Sequence, residues 1–547
     1  MSCTLNSDRK AKNGESRFRR DSQAVAAKAT GLPRRCLPDM KYGFIIDNRK
    51  CIGCHACTVA CKTENQVPVG VNRTWVKYVE KGRFPNTRRY FQVTRCNHCE
   101  DPPCVEICPV TAMYQRPDGI VDFDSNQCIG CKACMQACPY DAIYIDPELH
   151  TAAKCHYCAH RTEVGLEPAC VAVCPEQAII AGDLDQPESN IAQLLERNTV
   201  RVRRPEKGTR PKLYYIQAEE SAIVPTAARH EAFYMWSERN GSVPGGGAAY
   251  PPDSPLLQTD ALAAYDVSHA RPWAWQVPAY LWLKSIASAT LALPAFAAAL
   301  GGLAFDPARE MALAIVALLF TAATMVMLVW DLDRKDRFLR ILLRPQMRSW
   351  LARGAFILMA YGGFCGLVLL AELAALPKLA VVLVWPAVAL GFFAAMYTAF
   401  LFGQCKGRDL WQTPLLPLHL LVQALLSGAV VLAWLPPALG GSAAARTLAV
   451  EAMAVCLGLH LVILLGEFAM PHATDNARYA ARLITRGPYR RPFWIGAVIM
   501  GSIVPALLLF LDSSSAAAVA VSGLLALAGL LVFEWCFITA GQSVPNS

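Results

Sequence analysis

The stretch CIGCKACMQACP, Cys128 to Pro139, places four cysteines with two, two and three residues between them and closes on a proline. It has three companions. CIGCHACTVAC holds Cys51, Cys54, Cys57 and Cys61. CNHCEDPPCVEIC holds Cys96, Cys99, Cys104 and Cys108, and CHYCAHRTEVGLEPACVAVC holds Cys155, Cys158, Cys170 and Cys174. Prolines follow the last cysteine in three of the four, at Pro109, Pro139 and Pro175. Sixteen of the 22 cysteines thus fall between Cys51 and Cys174. Thiols grouped this way signal a disulfide framework or bound metal. A disulfide framework needs an export route, and residues 1–40 offer none. They are basic and polar, and the Arg19-Arg20 pair is followed by no apolar core. They are expected to form a disordered tail.

The spacing has a physical reason. A tight loop lets three thiolates close on one iron–sulfur cubane, while the fourth departs on a helix and ligates a different cluster. Sixteen thiolates therefore supply four [4Fe–4S] clusters in two cross-linked pairs. Zinc is the alternative for CxxC pairs alone; the third-cysteine spacing with the Cys-Pro ending favours iron–sulfur. No motif lacks a cysteine, so no [3Fe–4S] site is expected. Short strand-like runs flank the motifs: KYGFIIDNRKC, GIVDFDSNQC, DAIYIDPE and EQAIIAGD. They predict two ferredoxin-type halves within residues 41–217.

The rest of the chain reads differently. Hydrophobic residues make up 54% of the sequence and charged residues 17%, too greasy for a wholly soluble protein of 547 residues. Residues 218–270, with VPGGGAAYPPDSP at Val243 to Pro255, read as a flexible linker. Beyond them, in 271–547, come eight apolar segments of spanning length, near 278–302, 310–330, 351–373, 379–402, 414–435, 446–470, 493–511 and 516–538. The expected fold is an α+β double ferredoxin-like domain followed by an all-α eight-helix transmembrane bundle. The net charge of +9 sits mostly in the hydrophobic half, which suits lipid headgroups and argues against a nucleic-acid footprint. Connections on the side of the N-terminal domain hold fourteen Lys and Arg, including Arg334, Lys335, Arg337, Arg340, Arg344, Arg348 and Arg353. The opposite connections hold three: Arg309, Lys378 and Arg446. This asymmetry predicts a cytoplasmic N-terminal domain.

The motifs over Lys41 to Tyr215 resemble the four-cluster iron–sulfur subunits of the molybdopterin oxidoreductase superfamily: dimethyl sulfoxide reductase, polysulfide reductase, nitrate reductase and formate dehydrogenase. The resemblance implies that the first motif pairs with the fourth and the second with the third. One cluster would take Cys51, Cys54, Cys57 and Cys174, and its partner Cys155, Cys158, Cys170 and Cys61. A third would take Cys96, Cys99, Cys104 and Cys138, and a fourth Cys128, Cys131, Cys134 and Cys108. YDVSHARPWAWQVPAYLWLKS, Tyr265 to Ser285, and DLDRKDRFLRILLRPQMRSWLARGAFILMAYG, Asp331 to Gly362, resemble polysulfide-reductase-type (NrfD-like) quinol-oxidising anchors. Subunits that are usually separate are fused here. The resemblance implies a bacterial cytoplasmic membrane.

A quinone site needs an apolar slot near a cluster, with one or two groups that exchange protons with the ring oxygens. His269, Asp331, Arg334, Arg353 and Tyr361 are the candidates, with headgroup anchoring as the alternative for Asp331, Arg334 and Arg353. Lys284 is expected to snorkel or pair with a carboxylate. Trp273 and Trp275 read as interfacial anchors. Glu372, Glu451, His460 and Glu467 could form a proton path; His460 and Glu467 share a helix face about 10 Å apart. The alternative for them is a hydrogen-bonded contact that fixes helix packing.

No nucleotide or pterin fingerprint and no hydrolytic triad stands out. The expected role is the electron-transfer and membrane-anchor subunit of a quinone-linked molybdoenzyme, partnered by a large molybdopterin-containing catalytic subunit. The rival is the iron–sulfur and quinol module of an energy-transducing complex with multihaem cytochrome partners. A third reading is an anchor that binds no quinone.

Overall fold

The computed structural model describes residues 40–230, 259–269 and 271–547. The first strand, β1 (Tyr42–Asp47, YGFIID), brings aromatic and β-branched residues together, and its last five residues are buried. It pairs in parallel with Leu213–Ile216 and antiparallel with Ile179–Asp183. Phe44 faces Leu213 on one side and Ala181 on the other. The segments just before the first cysteine motif and just after the fourth therefore share one sheet, completed by Val200–Arg201. Two small hairpins, Met113–Gln115 with Val121–Phe123 and Ile143–Ile145 with Ala152–Lys154, bracket the third motif.

A second four-stranded sheet is built on the hairpin of β2 (Trp75–Arg83) and β3 (Asn86–Thr94). It corrects the expected linker over 218–270. Both ends of that segment are folded: Arg229–His230 pairs with Ala261–Tyr265, which pairs antiparallel with β2. The free edge of β2 supplies the missing ladder partners, and ALAAY alternates well enough to take them. The tail expected over 1–40 lies outside the described residues except for its last.

Among the described residues eight helices are long and apolar enough to cross a membrane: Gln276–Ala299, Pro307–Trp330, Trp350–Leu373, Pro377–Gln404, Leu416–Ala433, Ala443–Ala469, Pro492–Leu511 and Ala516–Gln542, here spans 1 to 8. Each coincides with one of the apolar segments read from the sequence. Spans 1 and 5 are the central ones, 72% and 67% buried, against 28% to 44% for the rest. Span 1 is broken between Ser288 and Ala292, where its carbonyls run against two glycines. A Cβ on Gly391 of span 4 would collide with the Ser288 carbonyl oxygen, and one on Gly428 of span 5 would lie 2.6 Å from that of Ala289. Small residues here let three backbones touch.

The two halves are joined by a shared core. Buried cysteines of the second and third motifs belong to the same apolar cluster as Trp273, Tyr280, Phe402, Trp411 and Phe537 of the membrane half. The basic connection between spans 2 and 3 is stitched to the cysteine domain. Arg337 donates to the carbonyls of Ser125 and Cys128, Arg340 to that of Asn126, and Ser349 Oγ to that of Ile107. Gln542–Ser547 is threaded into the seam: Arg203 donates to the Asn546 carbonyl and Lys77 Nζ to that of Ser547, at 3.0 Å. His269 sits in this seam, 3.4 Å from Asp141 and from Asp266 and 3.2 Å from Ser547 Oγ. Burial alone would depress its pKa, but the two carboxylates outweigh it and hold it above the ordinary imidazole value.

Two outcomes follow. Gly391→Ala should destabilise the membrane domain by about 1–3 kcal/mol through overpacking against Ser288, read as a lower thermal midpoint in detergent. His269 is raised on folding, so its stabilising share is full below the unfolded value of about 6.5 and is lost as pH rises through the folded one. The wild type should therefore outlast His269→Gln on heating at pH 6, and the difference should shrink as pH rises above about 6.5.

Candidate functional site

The cysteines come off short helices that begin abruptly. His55 and Lys132 adopt left-handed backbone at φ 60° and 61°, and Ala56–Glu64 and Ala133–Ala137 start at the next residue. This turn separates the second cysteine of each motif from the third and fourth. Cys104 and Cys170 lie on the helices Pro103–Ile107 and Ala169–Ala172, with Cys108 and Cys174 just beyond them.

The thiols interact electrostatically with one another. Cys51 feels Cys174 and Cys54, and Cys57 feels Cys51 and Cys174. Cys61 feels Cys170 and Cys158, and Cys155 feels Cys61 and Cys158. Cys99 and Cys104 share Cys96 and Cys138, and Cys131 and Cys134 share Cys108 and Cys128. Further couplings run between these sets in a row: Cys57 to Cys170, Cys155 to Cys96, and Cys134 to Cys104. Burial pushes the Cys57 thiol up to about 11 and those of Cys61 and Cys138 up to about 12. Sulfurs buried this way need a cationic centre to be thiolates.

The residues fit an iron–sulfur cluster. Cys108, Cys128, Cys131 and Cys134 line a cavity of about 370 Å³, counting space open to solvent, and Cys61, Cys155, Cys158 and Cys170 one of about 280 Å³ counted the same way. Backbone N–H groups point at sulfur: Ala112 to Cys108 at 3.2 Å, Gly130 to Cys128 at 3.4 Å and Ala178 to Cys174 at 3.3 Å. Among the described residues no three His, Cys, Asp or Glu side chains converge on a point where one ion could sit. The described cysteines are all free of disulfides.

An apolar slot of about 980 Å³, counting its open mouth, begins where the fourth group meets the membrane half. Cys131, Trp273, Tyr280, Leu328, Asp331 and Tyr397 are among its walls. Asp331 also borders a polar cleft with Lys132, His150 and Asp333. Lys132 Nζ lies 3.7 Å from Asp331 Oδ1 and 3.0 Å from Asp333 Oδ1. Burial pushes the Asp331 carboxyl up to about 6, against the pull of the Lys132 ammonium. A carboxyl between an apolar slot and water can pass protons near neutral pH.

Of the five quinone candidates, Asp331 alone lines this slot. Arg334 lies at the surface, paired with Asp336 at 2.9 Å. Arg353 donates to the Met347 carbonyl and stacks on Trp350 at 4.8 Å. Tyr361 is buried and donates to the Ala287 carbonyl. His269 belongs to the seam between the halves. Trp273 corrects another expectation. It is no lipid anchor: it is 5% exposed, stacks on Trp411 at 5.4 Å and donates to the Cys131 carbonyl at 3.2 Å. Trp275 is exposed. Lys284 does not snorkel; it is buried and bonds Thr398 Oγ1 at 2.6 Å and the Ala395 carbonyl at 3.0 Å.

The sequence reading missed His419. Its Nδ1 is 3.2 Å from Glu467 Oε2 and its Nε2 is 3.0 Å from His460 Nδ1, so this span 5 side chain fills the gap between the two span 6 residues. All three are buried. One histidine in an apolar run carries no periodicity that would have paired it with span 6. Glu451 faces outward, and Glu372 lies at the far end of the bundle near Glu310, so neither joins this chain. Glu534 of span 8 was also missed. It is 3% exposed, with neither carboxylate oxygen hydrogen-bonded, and its neighbour Phe533 packs on His419 and His460.

Comparison with known proteins agrees with this arrangement. Residues 50–113 and 87–184 each match a 4Fe-4S dicluster domain, and residues 265–546 match the family described as polysulphide reductase, NrfD. A tetrathionate reductase subunit of Salmonella typhimurium is 44% identical over 205 residues, 37% of this protein and 82% of that one. A polysulfide reductase component of Wolinella succinogenes is 40% identical over 186 residues, 34% of this protein and 97% of that one. Protein NrfC of Escherichia coli is 41% identical over 180 residues, 32% and 81% of the two sequences.

Proposed function

Because the protein belongs to the polysulphide reductase, NrfD family and joins that membrane domain to 4Fe-4S dicluster domains, we propose that it carries electrons between the quinone pool and a separate catalytic subunit. It is a multi-pass membrane protein and the electron-transfer and anchor subunit of a reductase-type complex. The sixteen cysteines of the four motifs hold four [4Fe–4S] clusters, in the sets Cys51/Cys54/Cys57/Cys174, Cys61/Cys155/Cys158/Cys170, Cys96/Cys99/Cys104/Cys138 and Cys108/Cys128/Cys131/Cys134. Bound there, the clusters supply a row of one-electron carriers. The catalytic partner is a large molybdopterin-containing subunit. The membrane is a bacterial cytoplasmic membrane with the iron–sulfur domain on the cytoplasmic side, a reading supported by the basic connections that remain after Arg337 and Arg340 are spent on docking.

The observation that carries this reading is the slot whose walls include both Cys131 and Asp331. Its apolar walls suit a quinone ring and exclude water. Asp331 accepts a proton from a hydroquinone hydroxyl and passes it to the polar cleft beside Lys132 and Asp333. Trp273 and Tyr280 wall the slot on the side of the cysteine domain, and Tyr397 closes it from span 4. Arg334 and Arg353 act outside the slot, holding the connection around it.

A second reading rests on the buried His419, His460, Glu467 and Glu534. Intramembrane ionisable groups are costly and mark proton routes. They favour the energy-transducing rival, which partner analysis distinguishes: molybdenum or tungsten for the first reading, multihaem cytochrome for the rival.

The purified complex should contain about 16 iron atoms per copy of this protein. Asp331→Asn and Ala355→Trp, which fills the slot, should each slow quinol-driven cluster reduction at least about tenfold, with iron content unchanged. Wild-type rates in both variants would put quinone elsewhere.

A further inference from the structure

The two cavities bordered by cysteines are lined differently. The one among Cys108, Cys128, Cys131 and Cys134 is mostly apolar, with Asp124 and Lys132 in its wall. The one among Cys61, Cys155, Cys158 and Cys170 is lined by two arginines, Arg73 and Arg95. Arg73 is occupied with neighbours: Nη1 donates to Asn65 Oδ1 at 3.2 Å and Nε to the Tyr144 hydroxyl at 3.1 Å.

Arg95 is placed otherwise. It is 0% exposed, and its guanidinium stacks on Phe44 at 4.7 Å. Nη1 donates to Cys170 Sγ at 3.1 Å, while Nε and Nη2 have no hydrogen-bond partner. The anionic groups acting on it are the sulfurs of Cys170, Cys57 and Cys155, and among the described residues no carboxylate pairs with it. A buried guanidinium cannot shed its proton, so it needs a counter-charge. Around this cavity sulfur is the counter-charge at hand.

Resting on the ligand assignment above, we propose that Arg95 raises the reduction potential of the cluster held by Cys61, Cys155, Cys158 and Cys170. Reduction adds one electron to that group and no proton to Arg95. A fixed cation at hydrogen-bond distance from a ligand sulfur, in a low-dielectric interior, stabilises the more negative, reduced form. Arg95 lines this cavity, and hydrogen bonds from its unpartnered Nε and Nη2 to cluster sulfur would act in the same direction. The cysteine couplings make this the second group in the row counted from Cys51, so Arg95 sets an interior step of the electron path. It is a positioning residue for charge and touches no substrate.

The test is a redox titration of the intact, cluster-loaded protein in detergent, read by low-temperature electron paramagnetic resonance. Wild type, Arg95→Gln and Arg95→Lys are compared, with iron content measured on each. Iron should be equal in all three. In Arg95→Gln one of four one-electron components should shift its equilibrium against reduction by at least tenfold, about 59 mV for one electron. Arg95→Lys, which keeps the charge, should restore most of that shift. Should the glutamine variant lose iron, Arg95→Met, apolar and of similar length, takes its place. Four unchanged midpoints in an iron-replete uncharged variant would overturn the proposal, as would an equal shift in Arg95→Lys. A wild type without four cluster signals would instead sink the ligand assignment, and its iron content separates the two failures.

Discussion

Everything in this molecule depends on gathering sixteen cysteine sulfurs in one row, eleven of them buried. The sulfurs of the second and third motifs occupy core positions that leucine would fill elsewhere, and most are under a tenth exposed. Bare thiols in such a place resist ionisation, and thiolates would repel one another. An iron–sulfur core removes both costs, so folding and cofactor binding become one process in the N-terminal half. The left-handed turns at His55 and Lys132 and the short helices after them aim the sulfurs.

The same sulfurs extend the core into the membrane half. Because Cys128, Cys134 and Cys138 pack in one cluster with Trp273, Trp411 and Phe537, the two halves meet as a core and not as a hinge. Electron transfer rewards such rigidity, since it fixes the distance between the last group of sulfurs and the slot. Trp273 embodies the coupling: it walls the slot, stacks on Trp411 and bonds the Cys131 carbonyl. Arginines that would otherwise meet lipid headgroups hold the connection above the slot to the cysteine domain.

The cysteine domain and the spans were legible because both signals are local. A thiol motif is a spacing within a dozen or so residues, and a span is an apolar run of fixed length. The slot was legible only through Asp331, whose place at the end of span 2 set its depth. The rest of the site is assembled from spans 1 to 4, the connection between spans 2 and 3, Trp273 and Cys131, and nothing in a linear sequence joins them. His419 illustrates the limit: its partners lie 41 and 48 residues away on another helix. Arg334 and Arg353 carried the right charge at the right depth, yet nearby groups at the surface claimed them first. One folded part of the linker, Arg229–His230, stayed hidden because a two-residue strand has no period to read.

On the proposed function, electrons pass between quinol and the row of clusters through this one protein. The most direct measurement is rapid mixing of the oxidised, purified complex with a short-chain quinol, followed by freeze-quench electron paramagnetic resonance. Reduced-cluster signals growing on the timescale of turnover, and absent when the slot is filled at Ala355, are the predicted result. Clusters that dithionite reduces but quinol never does would contradict the account.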